Sequence, residues 1–182
     1  MPHGPQTKSC TRAQEQHLLQ IMYWKYDVRE EGGEAGLAWS FLRRLPSEDS
    51  LTVHLRHRRI ESIRLISEEE RWPIADVGKR WEAAISPLRG DRLFRIFLVT
   101  SRSVRRLMQA TGHEVGHTYF YHPNGTSLAR VLNARPTIPA EERICDLFGA
   151  EWLYWFPRSA AELKLKLKEL LTNNQCTWVI TP

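Results

Sequence analysis

The chain has 182 residues, enough for one domain or one domain with a small extension, and 42% hydrophobic residues with 7 Trp supply a real core. A charged share of 26% is ordinary for a folded protein, and no apolar run approaches the length of a membrane span. The net charge of +5 suits work near DNA or an acidic partner without choosing between them.

Residues 1–9 read as a flexible start. The opening Met1-Pro2-His3-Gly4-Pro5 lacks a signal-peptide core, so a cytoplasmic location is expected. Leu18, Leu19, Met22, Tyr23 and Tyr26 recur at helical spacing and predict a first helix from Thr11 to about Tyr26. Gly32-Gly33 breaks it, and a second helix from Glu34 to Leu45 carries Leu37, Phe41 and Leu45 on one stripe before Pro46 stops it. Residues 1–50 are thus expected to form an N-terminal helical extension to a domain spanning 51–182.

Leu51 to Arg56 alternates apolar and polar, which predicts a strand; Ile60, Ile63 and Leu65 either extend it or begin a helix. His54, Arg56, His57, Arg58, Arg59 and Arg64 form the densest basic cluster. With no aromatic residue interleaved and no clear helix-turn-helix pattern, it reads as a solvated surface, and direct nucleic-acid binding is the weaker reading. Ile74, Val77, Trp81 and Ala84-Ile85 make a helical stripe ended by Pro87 and Gly90. Arg92 to Thr100 is the strongest strand, read as buried in the sheet at least as readily as pairing with an extended peptide. Ser101 or Ser103 then caps a helix running to about Tyr121, and His122-Pro123-Asn124-Gly125 stops it. Pro139 to Leu153 is a further helix with Ile144, Leu147, Phe148 and Trp152 at helical spacing. Ser159-Ala160-Ala161-Glu162 has capping-box spacing for a last helix with Leu163, Leu167, Leu170 and Leu171 inward, and Cys176 to Ile180 closes the chain as a strand or ordered tail. The expected class is α+β, helices packed on a small mixed β-sheet.

The chemistry concentrates in His113-Glu114-Val115-Gly116-His117. On a helix the two histidines stand one turn apart on one face, so both imidazoles reach a single metal ion, with Glu114 beside them as candidate general base. A catalytic zinc site keeps three protein ligands and one exchangeable water. Glu142 and Asp146 share a face of the later helix, where Glu142 completes the shell and Asp146 accepts the free N–H of a ligating histidine. Glu141 competes as ligand, but the four-residue step to Asp146 favours Glu142. Cys10, Cys145 and Cys176 are odd in number and widely spread, which argues against a disulfide framework. Cys145, among Ile144, Leu147 and Phe148, reads as a buried small hydrophobe.

The paired pattern resembles the thermolysin-like gluzincins and, more closely, the ImmA/IrrE group of small metallopeptidases. Gly112-His113-Glu114-Val115-Gly116-His117 stands for that group's Ala-His-Glu-x-Gly-His, and Glu142-Arg143-Ile144-Cys145-Asp146-Leu147-Phe148-Gly149-Ala150 for its Glu-x-x-Ala-Asn-x-Phe-Ala-Ala. Gly112, Cys145-Asp146 and Gly149 depart from it. The likeness covers about residues 91–157. It implies a zincin-like domain with Zn2+ held by His113, His117 and Glu142, Glu114 as catalytic base, and Asp146 behind a ligand. It also implies a side chain that stabilises the oxyanion, from among Tyr119, Tyr121, His122 and Arg143, with Tyr119 the named candidate. The expected activity is hydrolysis of a peptide bond in a specific protein substrate, such as a DNA-binding helix-turn-helix repressor in a stress response. The alternative is a non-catalytic zinc-containing regulatory or interaction module.

Overall fold

The computed structural model describes residues 10–29, 32–70, 82–88, 93–132 and 138–180. Among them run helices α1 (Arg12–Tyr26), α2 (Gly33–Arg43) and α3 (Leu51–His57), strands β1 (Ile60–Ile66), β2 (Ala83–Pro87) and β3 (Phe94–Val99), and helix α4 (Val104–His117). A 3-10 turn over Thr118–Phe120 follows, then α5 (Leu128–Val131), α6 (Pro139–Trp155), α7 (Pro157–Thr172) and β4 (Thr177–Val179). The class is α+β, as expected. No helix among the described residues is long and apolar enough to cross a membrane.

The sheet order is β2-β3-β1-β4, with β1 and β3 parallel at the centre and both outer strands antiparallel to their neighbours. Ile96 and Leu98 on β3 join Ile63 and Leu65 on β1 beneath the helices, while Phe97, Val99 and Ile66 form a small cluster on the other face. A register shift between Ile60 and Ser62 inserts one extra residue into β1. This bulge lets Ile60 and Ile63, three apart, both reach the main core.

Several elements differ from the sequence expectation. Leu51–His57 is a helix because Leu51, His54 and Leu55 are the buried positions, a helical stripe in which His54 acts as a core residue. Trp152 Nε1 donates to His54 Nδ1 at 3.1 Å, which leaves the ring proton on Nε2 to donate to Pro46 O at 3.1 Å. The basic cluster is therefore divided: His54 is buried, Arg56 and Arg59 are exposed, and Arg64 lies on a strand. Ala84 and Ile85 belong to β2, not to a helix; Ile74, Val77 and Trp81 lie outside the described residues. Helix α7 starts at Pro157, with Asp49 accepting from the backbone N–H groups of Arg158 and Ser159, so an acid from a distant loop replaces the anticipated Ser159–Glu162 box. Glu162 instead accepts from Leu51 N at 2.9 Å.

Helices α1 and α2 contribute Leu18, Met22, Leu37 and Phe41 to the same core as α4 and α6. Arg143 of α6 pairs with Glu34 of α2 and Glu15 of α1, tying the first two helices to the one that carries Glu142.

Candidate metal centre

The site is built where α4 crosses α6, and glycines set how closely they approach. A Cβ on Gly112 would stand 2.8 Å from the Gly149 Cα, and one on Gly149 would stand 2.8 Å from the His113 backbone nitrogen. Gly116 faces Cys145 in the same way, its added Cβ 3.1 Å from the Cys145 Cα. Gly112 and Gly149, two departures from the metallopeptidase pattern, thus meet each other across the contact. Ser103 caps α4 by accepting from Arg106 N, which fixes the helix that carries both histidines.

On that frame His113, His117 and Glu142 converge, their ligand atoms all within 4.8 Å of one another. The two Nε2 atoms are 3.0 Å apart; Glu142 Oε2 lies 3.1 Å from His113 Nε2, and Glu142 Oε1 3.3 Å from His117 Nε2. Behind them, His113 Nδ1 is 2.7 Å from Asp146 Oδ1 and His117 Nδ1 is 2.7 Å from Glu141 Oε1. Each Nδ1 proton is thereby committed to a carboxylate, so both Nε2 lone pairs face each other and the Glu142 oxygens. Such a gathering demands a positive charge among its members, a proton or a metal ion. Ligand-to-ligand separations of roughly 3.3 Å follow from tetrahedral zinc with bonds near 2.0–2.1 Å, and the distances here match. The residues fit a divalent metal.

Electrostatics says the same. Burial opposes a charged His113 and His117, yet Cys145, then Glu141 and Glu142, raise His117, and Glu142 with Glu114 raises His113, so both imidazoles lie above their ordinary value. Burial also opposes the Glu142 carboxylate, and its hydrogen bonds to His113 and His117 win, holding its carboxyl well below the usual range. Glu114 is 6% exposed, and burial pushes its carboxyl up, with Glu142 and Glu141 adding to the shift. A carboxyl raised in this way suits a group that must take and return a proton. Burial pushes the Cys145 thiol up to about 12, in keeping with an inert core residue.

Four side chains were candidates for stabilising an oxyanion, and the structure separates Tyr119 from the site. Its hydroxyl donates to Phe41 O at 3.0 Å and its ring stacks on Phe41 with centroids 4.2 Å apart, so it is a core residue. Arg143 is engaged by Glu34 and Glu15, and His122 Nδ1 accepts from Asn124 N. Tyr121 is tied to none of these partners: burial raises its hydroxyl to about 12, with the charge of His117 opposing and those of Glu141 and Glu114 adding. The helix expected to run to Tyr121 ends at His117. After the 3-10 turn the chain is extended at Tyr121, with φ −98° and ψ 139°, and its ring packs on Phe94 of β3 at 4.9 Å.

Glu141 is the site residue whose role the sequence left unread. It is 4% exposed, bonded to His117, and its second oxygen, Oε2, has no partner among the described residues. The signal was available: each ligating imidazole needs an acceptor on its far nitrogen, and Asp146 serves only one of two. Comparison with protein-family models, curated proteins and solved structures returns no match.

Proposed function

We propose that this protein is a zinc-dependent endopeptidase of gluzincin type acting on a specific protein substrate. The observation that carries the reading is the convergence of two imidazoles and one carboxylate, each imidazole backed by an acid, beside a buried carboxyl with a raised pKa. His113, His117 and Glu142 would hold the ion. Zinc bound there supplies Lewis acidity, polarising a peptide carbonyl and lowering the pKa of a water molecule.

The chain's own residues do the rest. Glu114 accepts the proton of the attacking water and delivers it to the departing amine. Asp146 and Glu141 hold the two imidazoles in the tautomer that leaves Nε2 free for metal. Tyr121 donates its hydroxyl proton as a hydrogen bond to the oxygen on which charge develops.

Strand β3 is paired on both sides and has no edge to offer a peptide. Its neighbour β2 has one. Glu82 O accepts from Val99 N and Leu88 N donates to Leu93 O, so Ala84 and Ser86 bond inward and the main-chain groups of Ala83 and Ile85 point away from β3. Glu82 pairs with Arg106 near the start of α4, and Pro87 pairs with Phe94, whose ring packs on Tyr121 at 4.9 Å. β2 therefore runs alongside α4, and its edge takes the substrate as an added strand. A repressor with a helix-turn-helix is the substrate class the family resemblance favours.

Glu114→Gln tests the proposal. The variant keeps its metal and loses peptidase activity by about 10²–10⁴-fold, the usual share of a general base; full activity with metal bound would refute it. The second reading is a structural metal, favoured by the ligands' joining α4 to α6. On that reading chelation unfolds the chain and Glu114→Gln changes nothing.

A further inference from the structure

Tyr121 also lines a cavity of about 310 Å³ whose wall includes Lys25, His57, Arg58, Arg59 and His122 and, among the described residues, no acid. Five basic side chains with no carboxylate among the described residues is an unusual lining, since a half-buried guanidinium ordinarily finds an acid. Arg58 does not find one among the described residues. Its guanidinium lies 3.5 Å over the Tyr119 ring and its Nε donates to Thr118 Oγ1 at 2.9 Å, which fixes it in place and leaves both terminal nitrogens without a partner among the described residues.

The other cations are placed with similar economy. Lys25 Nζ donates to Tyr119 O and Tyr121 O, at 3.2 and 3.4 Å, which leaves it one N–H. Arg59 occupies the left-handed region, φ 61°, just past the end of α3, where glycine is the low-cost residue. Its N–H donates to Arg56 O and its carbonyl accepts from Phe94 N, so the backbone holds the strained residue at the cavity's edge. Burial and mutual repulsion lower Lys25 and Arg58 from their ordinary values, although Arg58 stays charged. Tyr26 and Phe94 give the remaining wall flat apolar surface.

We infer that this cavity is an anion site that takes the doubly charged phosphoryl group of a ligand, held by Arg58, Arg59 and Lys25. Charge selects the ligand: three cations with no acid among the described residues of the lining match a phosphoryl dianion better than a single carboxylate, and the Arg58 terminal donors suit its oxygens. The inference is independent of the peptidase reading.

Calorimetric titration of inorganic phosphate into the full chain at matched ionic strength tests it, beside Lys25→Met, Arg58→Gln, Arg59→Gly and Glu142→Ala. Wild type binds with a submillimolar dissociation constant. Arg58→Gln and Lys25→Met weaken binding by about tenfold each, the worth of one charge-assisted contact. Arg59→Gly relieves the backbone, so its fold is secure, and it weakens binding as well. Glu142→Ala leaves phosphate affinity unchanged, because the metal ligands are not used. A nucleoside monophosphate or a phosphoserine peptide that binds more tightly than phosphate identifies the source of the group and supports the site either way. Absence of binding, succinate binding as well as phosphate, or loss of binding in Glu142→Ala with retention in Arg59→Gly would each overturn it.

Discussion

Two charged clusters, one at the α4/α6 crossing and one in a cavity lined in part by Tyr121, are built on opposite plans. At the α4/α6 crossing every imidazole is matched by acids: Glu142 in front, Asp146 and Glu141 behind. In the cavity beside α3 and β1, five basic residues gather with no acid among the described residues of the lining. The first arrangement has lone pairs waiting for a cation, and the second has N–H donors waiting for an anion. The difference teaches how to read a cluster: what it lacks, rather than what it contains, names its ligand.

The comparison breaks most visibly at the ligands. Glu142→Ala and His113→Ala are expected to abolish stoichiometric metal loading, since three protein ligands are the minimum of a catalytic zinc site; equilibrium dialysis against zinc checks this. Next come the carboxylates behind the imidazoles. Glu141→Gln and Asp146→Asn are expected to lower metal affinity by about 10–100-fold, with Glu141→Gln the more costly because Glu141 is buried and Asp146 exposed. Competition with a chelator reads both. An equal, negligible effect would show that the imidazoles need no such support.

Acidity sharpens the same contrast. Metal requires neutral imidazoles, so affinity falls as pH drops below their raised values, by up to roughly 100-fold per pH unit for two ligands. Metal-free protein runs the other way. Folding raises the values of His113 and His117, so the stability they contribute is fully present below their unfolded value near 6.5 and is lost as pH rises through the folded values. Melting temperatures of metal-free and metal-loaded protein should therefore diverge from pH 6 to 8; parallel curves would contradict the assignment.

The smallest expected effects concern stability. Gly112→Ala drives a Cβ to 2.8 Å from the Gly149 Cα and is expected to cost about 1–3 kcal/mol by prying the helices apart, measured by denaturant unfolding. Tyr119→Phe removes one of two donors to the Phe41 carbonyl, the Arg44 N–H keeping the other, and is expected to cost about 0.5–1.5 kcal/mol without touching metal affinity. Tyr121→Phe, conversely, should spare stability and reduce peptide hydrolysis.

The grouping of His113, His117 and Glu142, with Asp146 behind, was legible because it depends on local periodicity: a four-residue step on one helix and another on the next. Helix boundaries α1, α2, α4 at its start and α6 followed from caps, prolines and apolar stripes. What depended on tertiary context was not legible. Leu51–His57 reads as a strand until His54 is known to be a core residue bonded to Trp152. Tyr119 is a plausible site residue until the helix is seen to end at His117, after which a tighter turn places its ring on Phe41. The cavity was hidden for a similar reason: its cations come from α1, the α3–β1 junction and the segment after α4, far apart in sequence.

The central claim is a three-ligand metal centre, and elemental analysis of the purified full chain beside His113→Ala and Glu142→Ala tests it most directly. The account predicts one equivalent of zinc per chain in wild type, lost in both variants while each remains folded or is recovered as such by circular dichroism. Wild-type protein that carries no metal and takes up none when zinc is supplied would contradict it.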